Sequence, residues 1–288
     1  MVFCNSRLVS VRNHLPKVRL IVTDTQDFTS TPAGVAIIVP CFNEEAGLPH
    51  LHKNLLATRV LLRQKYDVHF ILVDDGSKDN TWNALISLFA NEPSCILLRH
   101  STNLGIGAAI MSGMFAATTE IVCSIDSDSS YEPRQLANLL PMLTANVDLV
   151  TASPYHHHGE VCGIPGWRRF LSKTASHLYR RVLRRKLSTY TSCFRVYRRS
   201  RILNLKLRRR GFLAVAELIG KLDLHGSVIV ECPAKLTSRA HGVSKMKVAR
   251  VAMGHVLLLG ELLAFRFSQV VFRHLRHHVA LPDRSGSR

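Results

Sequence analysis

Five short apolar runs, each followed by a polar turn or a helical pattern, constrain the fold of this chain more than any other feature. The runs occupy residues 35–39, 68–73, 95–98, 121–125 and 147–152. The first is apolar throughout, which is typical of a strand buried on both faces of a parallel sheet. Strands that alternate with helices at this short spacing predict an α/β fold with a doubly wound, mostly parallel sheet flanked by helices.

Acidic residues stand at the points where three of these runs end. Glu44 follows the first run, Asp75 the second, and Asp126 and Asp128 the fourth. Ligands of open α/β sheets bind outside the carboxyl ends of the strands. We therefore expect these side chains to share one site at one edge of the sheet.

The segment Asp126-Ser127-Asp128 places two carboxylates one residue apart. Two such groups repel each other unless a cation or hydrogen-bond donors compensate. Carboxylate oxygens suit Mg²⁺ or Mn²⁺, and Mg²⁺ in particular is commonly bound by one or two carboxylates plus substrate phosphates. Taken alone, this short and common motif fits a pair of solvated turn aspartates better. The acidic residues at neighbouring strand ends favour a site for a metal ion and a diphosphate.

The net charge of +18 predicts an anionic partner, which is a nucleic acid, a membrane surface or a phosphorylated substrate. Residues 161–216 are rich in Lys and Arg and contain no Asp or Glu. A solvated face normally mixes both signs, so this stretch indicates contact with an anionic surface. Its first helix should expose Arg169, Lys173, His177, Arg180 and Arg184 and bury Leu171, Ala175, Leu178 and Val182 on the opposite face.

Three other patterns carry no binding chemistry of their own. The seven cysteines include no Cys-x-x-Cys pair, which indicates a reducing compartment and no disulfides. Gly105-Ile106-Gly107 lacks the third glycine of a dinucleotide fingerprint, so we expect it to let a helix begin close to the sheet. His156, His157 and His158 do not have the spacing of a zinc site.

The two ends of the chain differ from its middle. Residues 1–33 form a basic extension without the apolar segment of a secretory signal, and residues 34–247 are predicted to form the main domain. Residues 248–288 combine apolar, amphipathic helices with a basic tail. The longest stretch there without charged residues, 251–260, is about half of a bilayer span, so we expect no transmembrane helix. Helices lying on a membrane and helices packed on the sheet both fit this pattern.

Six motifs in this order resemble family 2 glycosyltransferases with the GT-A fold, and within them the polyprenyl- and dolichyl-phosphate hexose synthases. The motifs are Pro40-Cys41-Phe42-Asn43-Glu44-Glu45, Asp74-Asp75-Gly76-Ser77, Asn103-Leu104-Gly105-Ile106-Gly107-Ala108, Asp126-Ser127-Asp128, Thr191-Ser192-Cys193-Phe194-Arg195-Val196-Tyr197-Arg198-Arg199 and Arg239-Ala240-His241-Gly242-Val243-Ser244-Lys245.

The resemblance implies an inverting, metal-dependent transfer of a hexose, mannose or glucose, from a GDP- or UDP-sugar to a lipid phosphate. The implied nucleotide-sugar ligands are Pro40, Phe42, Glu44, Asp75, Asp126, Ser127, Asp128, Arg239 and Lys245. Asp126 and Asp128 would hold Mg²⁺ or Mn²⁺, and Arg239 and Lys245 would close over the diphosphate. Arg168, Ser192 and Arg195 would bind the acceptor phosphate.

Two other functions stay open on the sequence. A lipid phosphate needs no strong base, because the second pKa of a phosphomonoester is about 6. A hydroxyl acceptor would need a general base, for which Glu217 and the neighbours of Asp126 are the candidates. A basic nucleic-acid-binding protein is the remote alternative, disfavoured because the basic stretch lacks interleaved aromatic platforms. The expected setting is the cytoplasm, peripheral on the inner face of an anionic membrane, with no nucleic-acid partner.

Overall fold

The computed structural model describes residues 21–22, 32–238 and 248–278, and the side chains of residues 32–238 and 251–269. Most of the basic extension predicted for residues 1–33 therefore lies outside the described residues. The strands are β1 (Ile21–Val22), β2 (Ala33–Cys41), β3 (Tyr66–Asp74), β4 (Cys95–Arg99), β5 (Ile121–Ser124), β6 (Leu149–Ser153), β7 (Glu160–Val161), β8 (Arg195–Arg198), β9 (Ile229–Pro233) and β10 (Lys235–Leu236).

The helices are α1 (Leu48–Leu62), α2 (Thr81–Phe89), α3 (Ile106–Ala116), α4 (Leu136–Leu139), α5 (Gly166–Val182), α6 (Arg199–Leu203), α7 (Leu213–Leu224) and α8 (Val248–His278). The helix α4 has only four residues. A 3₁₀ turn at Leu140–Met142 follows it directly, because Pro141 in that turn has no N–H to continue an α-helix.

The main sheet has eight strands in the order β1-β4-β3-β2-β5-β8-β6-β9. The pairs of β2 with β3, β3 with β4, β2 with β5 and β6 with β9 are parallel, and β8 runs antiparallel between β5 and β6. The predicted, mostly parallel α/β sheet is thus confirmed. Because β3, β2 and β5 are neighbours, the residues that follow them meet at one edge.

Helices cover both faces of this sheet. Along β2, Val35, Ile37 and Val39 belong to a core shared with α1, α2 and α4. Ala36 and Ile38 belong to a second core shared with α3, α5, α7 and α8. The alternation of side chains along a strand makes both faces of β2 apolar, which explains its continuous hydrophobic sequence.

The two glycines before and within α3 serve a different contact from the expected one. A Cβ on Gly107 would lie 2.1 Å from Ala214 Cβ, and Gly105, with φ of +97°, lies against the backbone of Arg210. The sheet is approached instead by Gly113, whose added Cβ would lie 2.5 Å from Ile38. The expectation for Gly105 and Gly107 was therefore wrong, because the close neighbour is the segment that leads into α7.

The inward face of α5 also differs from the expected one. Arg169, Lys173, His177 and Arg180 are exposed as predicted, but Leu171 and Leu178 are each 37% exposed. The buried side chains of α5 are Ser176 and Tyr179. The Tyr179 hydroxyl lies 2.8 Å from His255 Nδ1 of α8, and its ring stacks on Tyr190. These aromatic contacts turn the helix so that two leucines face outward.

The long helix α8 has 31 residues. Its segment Val251–Gln269 is long and apolar enough to cross a membrane by length and composition. The longest stretch without charged residues therefore understated this segment, because a span of this kind can include two charged residues. That no helix here crosses a membrane stays a prediction. Leu258, Leu259 and Leu262 are buried, and Leu262 lies against Gly220 of α7. One face of α8 therefore packs on the domain.

The packing of α3 on the entry to α7 predicts the effect of Gly107→Ala. The added methyl overlaps Ala214, so we expect a loss of about 1–3 kcal/mol in the free energy of unfolding. Gly260→Ala is the control, because nothing lies within 4 Å of that position in α8. It should stabilise the protein by up to about 1 kcal/mol through helix propensity. Urea unfolding measures the stability of both variants. Equal unfolding midpoints would contradict the close contact between Gly107 and Ala214.

Candidate active site at the carboxyl edge of the sheet

A cavity of about 940 Å³ opens where β2, β3, β5 and β6 end, which is a usual size for a ligand site. Nine of the residues predicted from the sequence line it: Pro40, Phe42, Glu44, Asp75, Asp126, Ser127, Asp128, Arg168 and Ser192. Arg195 does not, and Arg239 and Lys245 lie outside the described residues. The structure thus brings the acidic strand ends together, as the parallel topology requires.

The loop after β2 is held in place by the loop after β3. Asn43 has a left-handed backbone, with φ of +52°, which is uncommon outside glycine. Its N–H donates to Ser77 Oγ at 2.9 Å, and its side-chain oxygen accepts the N–H of Lys78 at 2.8 Å. The N–H of Glu44 donates to Thr81 Oγ1 at 2.9 Å. These bonds fix the backbone that carries Phe42 and Glu44 at the cavity.

Asp75 is 3% exposed and accepts three hydrogen bonds at the floor of the cavity. Its Oδ1 lies 2.7 Å from His100 Nδ1 and accepts the N–H of Leu104 at 2.9 Å, while its Oδ2 accepts the N–H of Gly105 at 2.7 Å. Sequence reasoning missed His100, since it belongs to none of the six motifs. The short polar stretch after β4 is the only signal that could have drawn attention to it.

The loop after β5 carries the two adjacent carboxylates. Asp128 Oδ1 accepts the N–H of Ser130 at 3.0 Å, and Ser129 between them has a φ of +55°. Thr237 donates its N–H and its hydroxyl to the Ser130 carbonyl at 2.9 and 3.2 Å. Ser238, the last described residue before Arg239, lines the cavity. The chain therefore passes over the Asp128 loop immediately before Arg239.

The side chains near Asp126 show that the cavity offers no thiolate nucleophile. Burial raises the pKa of the Cys193 thiol well above its usual value, and the charge of Asp126 raises it further. Burial likewise raises the pKa of Cys41, with Glu44 and Asp74 adding to the effect. Both thiols line the cavity and stay protonated near neutral pH. Nucleophilic cysteines have lowered pKa values instead.

The donor set fits a divalent cation that keeps substrate oxygens in its coordination shell. Within residues 32–238 and 251–269, no group of three or more His, Cys, Asp or Glu side chains is placed to hold a metal ion. Asp126 and Asp128 supply two carboxylates at most, both half-exposed at the cavity. Mg²⁺ is usually bound in this way, by one or two carboxylates and substrate phosphates.

The part of the cavity lining that comes from α5 and the segment before β8 contributes hydroxyl groups and one guanidinium. Arg168 and Ser172 come from the first turns of α5, and Thr191 and Ser192 come from the segment before β8. The hydroxyls of Ser172 and Thr191 lie 3.4 Å apart. The Arg168 Nε is buried without a hydrogen-bond partner. This part of the lining offers hydrogen-bond donors to an anion.

Arg195 does not reach this part of the lining, contrary to the expectation of an acceptor-phosphate ligand. The side chain is 0% exposed. It donates from Nη1 to the Val215 carbonyl and from Nη2 to the Tyr190 carbonyl, both at 2.7 Å. Its guanidinium is therefore used to tie α7 and the segment before β8 to the sheet. The motif identifies the position correctly, but burial directs the side chain inward.

Glu217, the candidate general base for a hydroxyl acceptor, is also used elsewhere. It is buried in α7, where its carboxylate accepts the N–H groups of Arg208 and Arg209 and lies 2.6 Å from Lys221 Nζ. It is absent from the described lining of the cavity. The structure therefore removes one of the two sources of a base that the sequence offered.

Comparison with known proteins supports the resemblance found in the sequence. A family model described as glycosyl transferase family 2 matches residues 36–203. The chain is 32% identical over 223 residues to polyprenol monophosphomannose synthase of Mycolicibacterium smegmatis, covering 75% of this chain and 82% of the relative. It is 27% identical over 215 residues to dolichol-phosphate mannosyltransferase of Pyrococcus furiosus, covering 74% of this chain and 59% of that relative. The predicted resemblance to hexosyltransferases of this kind is confirmed.

The fold itself is shared with solved structures. Glucosyl-3-phosphoglycerate synthase from Mycobacterium tuberculosis, in complex with Mn²⁺, UDP-glucose and phosphoglyceric acid, matches with a TM-score of 0.59 at 20% identity. The match covers 81% of this chain and 80% of that structure. At this identity the comparison shows a common fold, which confirms the GT-A prediction.

The two arginines predicted at the acceptor end should respond differently to the same substitution. Arg195→Met removes the buried hydrogen bonds to the carbonyls of Tyr190 and Val215, and losing a charged donor from buried acceptors costs about 1–3 kcal/mol. Arg168→Met removes no described hydrogen bond and should leave the unfolding midpoint within about 1 °C of the wild type, a small shift on the usual scale. Thermal unfolding of both variants measures this. An unfolding midpoint of Arg195→Met equal to that of the wild type would contradict a stabilising role of the Arg195 hydrogen bonds.

Proposed function

Because the chain belongs to glycosyl transferase family 2, we propose that it moves a hexose from a nucleotide sugar to a polyprenyl-type lipid phosphate, with inversion at the anomeric carbon. Mannose or glucose is the expected sugar, carried by GDP or UDP. The observation that carries this proposal is that one cavity is lined both by carboxylates that follow β2, β3 and β5 and by Arg168 and several hydroxyl groups. The first suits a metal-bound diphosphate and the second suits a phosphate acceptor.

At the donor end, Asp126 and Asp128 would hold Mg²⁺ or Mn²⁺ against the diphosphate. The cation supplies charge neutralisation for the departing nucleoside diphosphate. Phe42, Glu44 and Asp75 would orient the nucleoside, since their loops are fixed by the hydrogen bonds described above. Arg239 and Lys245 would add positive charge where negative charge develops in the transition state.

At the acceptor end, a lipid phosphate would be oriented rather than deprotonated. A phosphomonoester is mostly ionised near neutral pH, so its oxygen can attack without a general base. Arg168 and the hydroxyls of Ser172, Thr191 and Ser192 are suited to hold such an anion. The carboxylates in the described lining are Glu44, Asp75, Asp126 and Asp128, all of which follow β2, β3 or β5. This arrangement favours a phosphate acceptor over a hydroxyl acceptor.

We also propose a peripheral position on the inner face of a membrane, and the surface around α5 supports a contact with lipid. Trp167, Phe170 and Leu171 of α5 are exposed, and Arg169 and Lys173 are exposed beside them. On α8, which packs against α5, the exposed apolar side chains include Met253, Val256, Leu257 and Phe267. Aromatic and basic side chains together are typical of helices that lie in the interface of an anionic bilayer.

The metal assignment predicts that Asp128→Asn abolishes sugar transfer. With radiolabelled GDP-mannose, UDP-glucose and their counterparts as donors and Mn²⁺ present, wild-type protein should label a polyprenyl phosphate. Loss of one carboxylate from the cation site should lower kcat by at least about 100-fold, as removal of comparable electrostatic groups does. Glu132→Gln is the control, because Glu132 is an exposed carboxylate near the same loop and is absent from the described lining.

The same assay separates the two acceptor classes. Polyprenyl phosphate should be labelled, whereas the corresponding polyprenol should not. Equal transfer by Asp128→Asn and wild type would contradict the metal assignment. Transfer to the polyprenol alone would favour the hydroxyl-acceptor alternative.

The membrane assignment predicts that Trp167→Ser combined with Phe170→Ser weakens binding to vesicles by about tenfold, because two partly inserted aromatic side chains are lost. Binding is measured by co-sedimentation with vesicles of phosphatidylcholine and phosphatidylserine. Val60→Ser combined with Leu61→Ser is the control, since these exposed apolar residues lie on α1 at the other face of the sheet. The same loss in both double variants would count against a dedicated surface on α5.

A further inference from the structure

His100 is a buried histidine at the end of β4 that no motif and no cavity contact accounts for. It is 1% exposed. Its Nδ1 lies 2.7 Å from Asp75 Oδ1, and its Nε2 lies 2.9 Å from Ser112 Oγ of α3. Its backbone N–H donates to the Asp74 carbonyl at 2.9 Å. The imidazole is therefore held on both sides, with one of its two partners at the cavity.

The partners determine which ring nitrogen of His100 carries hydrogen. An ionised carboxylate only accepts hydrogen bonds, so Nδ1 is the donor to Asp75. In the neutral ring Nε2 is then the acceptor, and the Ser112 hydroxyl donates to it. The hydrogen bonds run in one direction, from Ser112 to His100 to Asp75. Asp75 thus selects the tautomer, and the Ser112 hydroxyl donates to the ring nitrogen that this tautomer leaves as an acceptor.

The hydrogen bonds of Asp75 leave one of its oxygens with spare accepting capacity. Oδ1 accepts from both His100 and Leu104, whereas the described partner of Oδ2 is the N–H of Gly105. Each carboxylate oxygen has two lone pairs. Oδ1 is therefore saturated and Oδ2 has one further position. Because Asp75 lines the cavity, a donor group of a bound ligand can occupy that position.

The contact from His100 differs in kind from the two backbone contacts. The N–H groups of Leu104 and Gly105 belong to one loop and approach Asp75 from one side. His100 is the side-chain partner, and it comes from β4. Without it, Oδ1 would keep one donor, and the carboxylate could turn about its Cβ–Cγ bond, a torsion with a broad energy profile. The direction of the spare Oδ2 lone pair depends on this contact.

We propose that His100 and Ser112 are positioning residues that orient Asp75 so that its Oδ2 accepts a ring N–H from the base of the donor nucleotide. This inference rests on the proposed function, since it requires a nucleotide in the cavity. Uracil and guanine carry a ring N–H between or beside carbonyl groups, whereas cytosine and adenine carry a ring acceptor on that edge. The site is thus built to take uridine or guanosine diphosphates and to reject cytidine and adenosine diphosphates.

Two amide substitutions at His100 separate its two ring nitrogens. The side-chain NH₂ of His100→Asn can occupy the place of Nδ1 and keep the donor to Asp75. The amide of His100→Gln reaches the place of Nε2 and keeps the contact to Ser112 instead. Both fill most of the same buried volume with a neutral group. A purely structural role would make the two variants similar, whereas a positioning role makes them differ.

The test is calorimetric binding of GDP, UDP, CDP and ADP to the full chain, once with Mn²⁺ and once with EDTA. For whichever of GDP and UDP binds wild type more tightly, we expect His100→Asn to bind within about threefold of wild type and His100→Gln about tenfold more weakly. The loss of affinity in His100→Gln relative to wild type should be the same with and without Mn²⁺, because Asp75 is not assigned to the metal. In turnover, His100→Gln should raise the donor KM by about tenfold and leave kcat within about twofold.

Several results would overturn the inference. Equal nucleotide affinity of the Asn and Gln variants, both with a wild-type unfolding midpoint, would make His100 a structural residue only. Binding of ADP or CDP as tight as that of the preferred nucleotide would refute the base selection. If wild type binds none of the four nucleotides, the proposed function fails together with this inference. If wild type binds but the variants do not differ, only this inference fails.

Discussion

The site depends on the mutual repulsion of carboxylates that a parallel sheet brings to one cavity. Glu44, Asp75, Asp126 and Asp128 follow three adjacent strands, and like charges at short range must be compensated. For Asp75, three hydrogen bonds supply much of that compensation. Asp128 accepts one from Ser130. The pair of carboxylates at Asp126 and Asp128 makes this part of the cavity suited to a cation.

Arg195 contributes to the same balance without touching a ligand. Its two short hydrogen bonds go to neutral carbonyl groups, so its charge is not cancelled by a carboxylate partner among the described residues. Burial raises the pKa of Tyr131 and of Cys193, and the charge of Asp126 raises both further. The charge of Arg195 acts in the opposite direction and offsets part of that rise. The Arg195 guanidinium thus partly offsets the effect that the negative charge of Asp126 has on these two side chains. This account explains why a residue of the acceptor motif matters although it is buried.

The sequence predicted those features that follow from local periodicity and from topology. The runs at residues 35–39 and 121–125 became β2 and β5, and their ends met because parallel neighbours end at one edge. Side-chain direction could not be predicted in the same way. Arg195 turned inward because its guanidinium bonds the buried carbonyls of Tyr190 and Val215. Leu171 and Leu178 turned outward because Tyr179 takes the interior position on α5, against Tyr190 and His255. A motif specifies a position along the chain, while burial of its neighbours decides where the side chain points. The assignment of residues 34–247 to one domain stays a prediction.

One helix links the chemistry of the cavity to the surface beside it. From its first turns, α5 contributes Arg168 and Ser172 to the cavity lining and presents Trp167 and Phe170 to solvent. A soluble acceptor would need the first pair and would leave the exposed aromatic rings without a partner. A phosphate attached to a long apolar chain needs both, because its charged end must enter the cavity while its chain stays in lipid. Exposed aromatic side chains cost free energy in water unless something covers them, so their place next to Arg168 favours an acceptor that is drawn from a membrane.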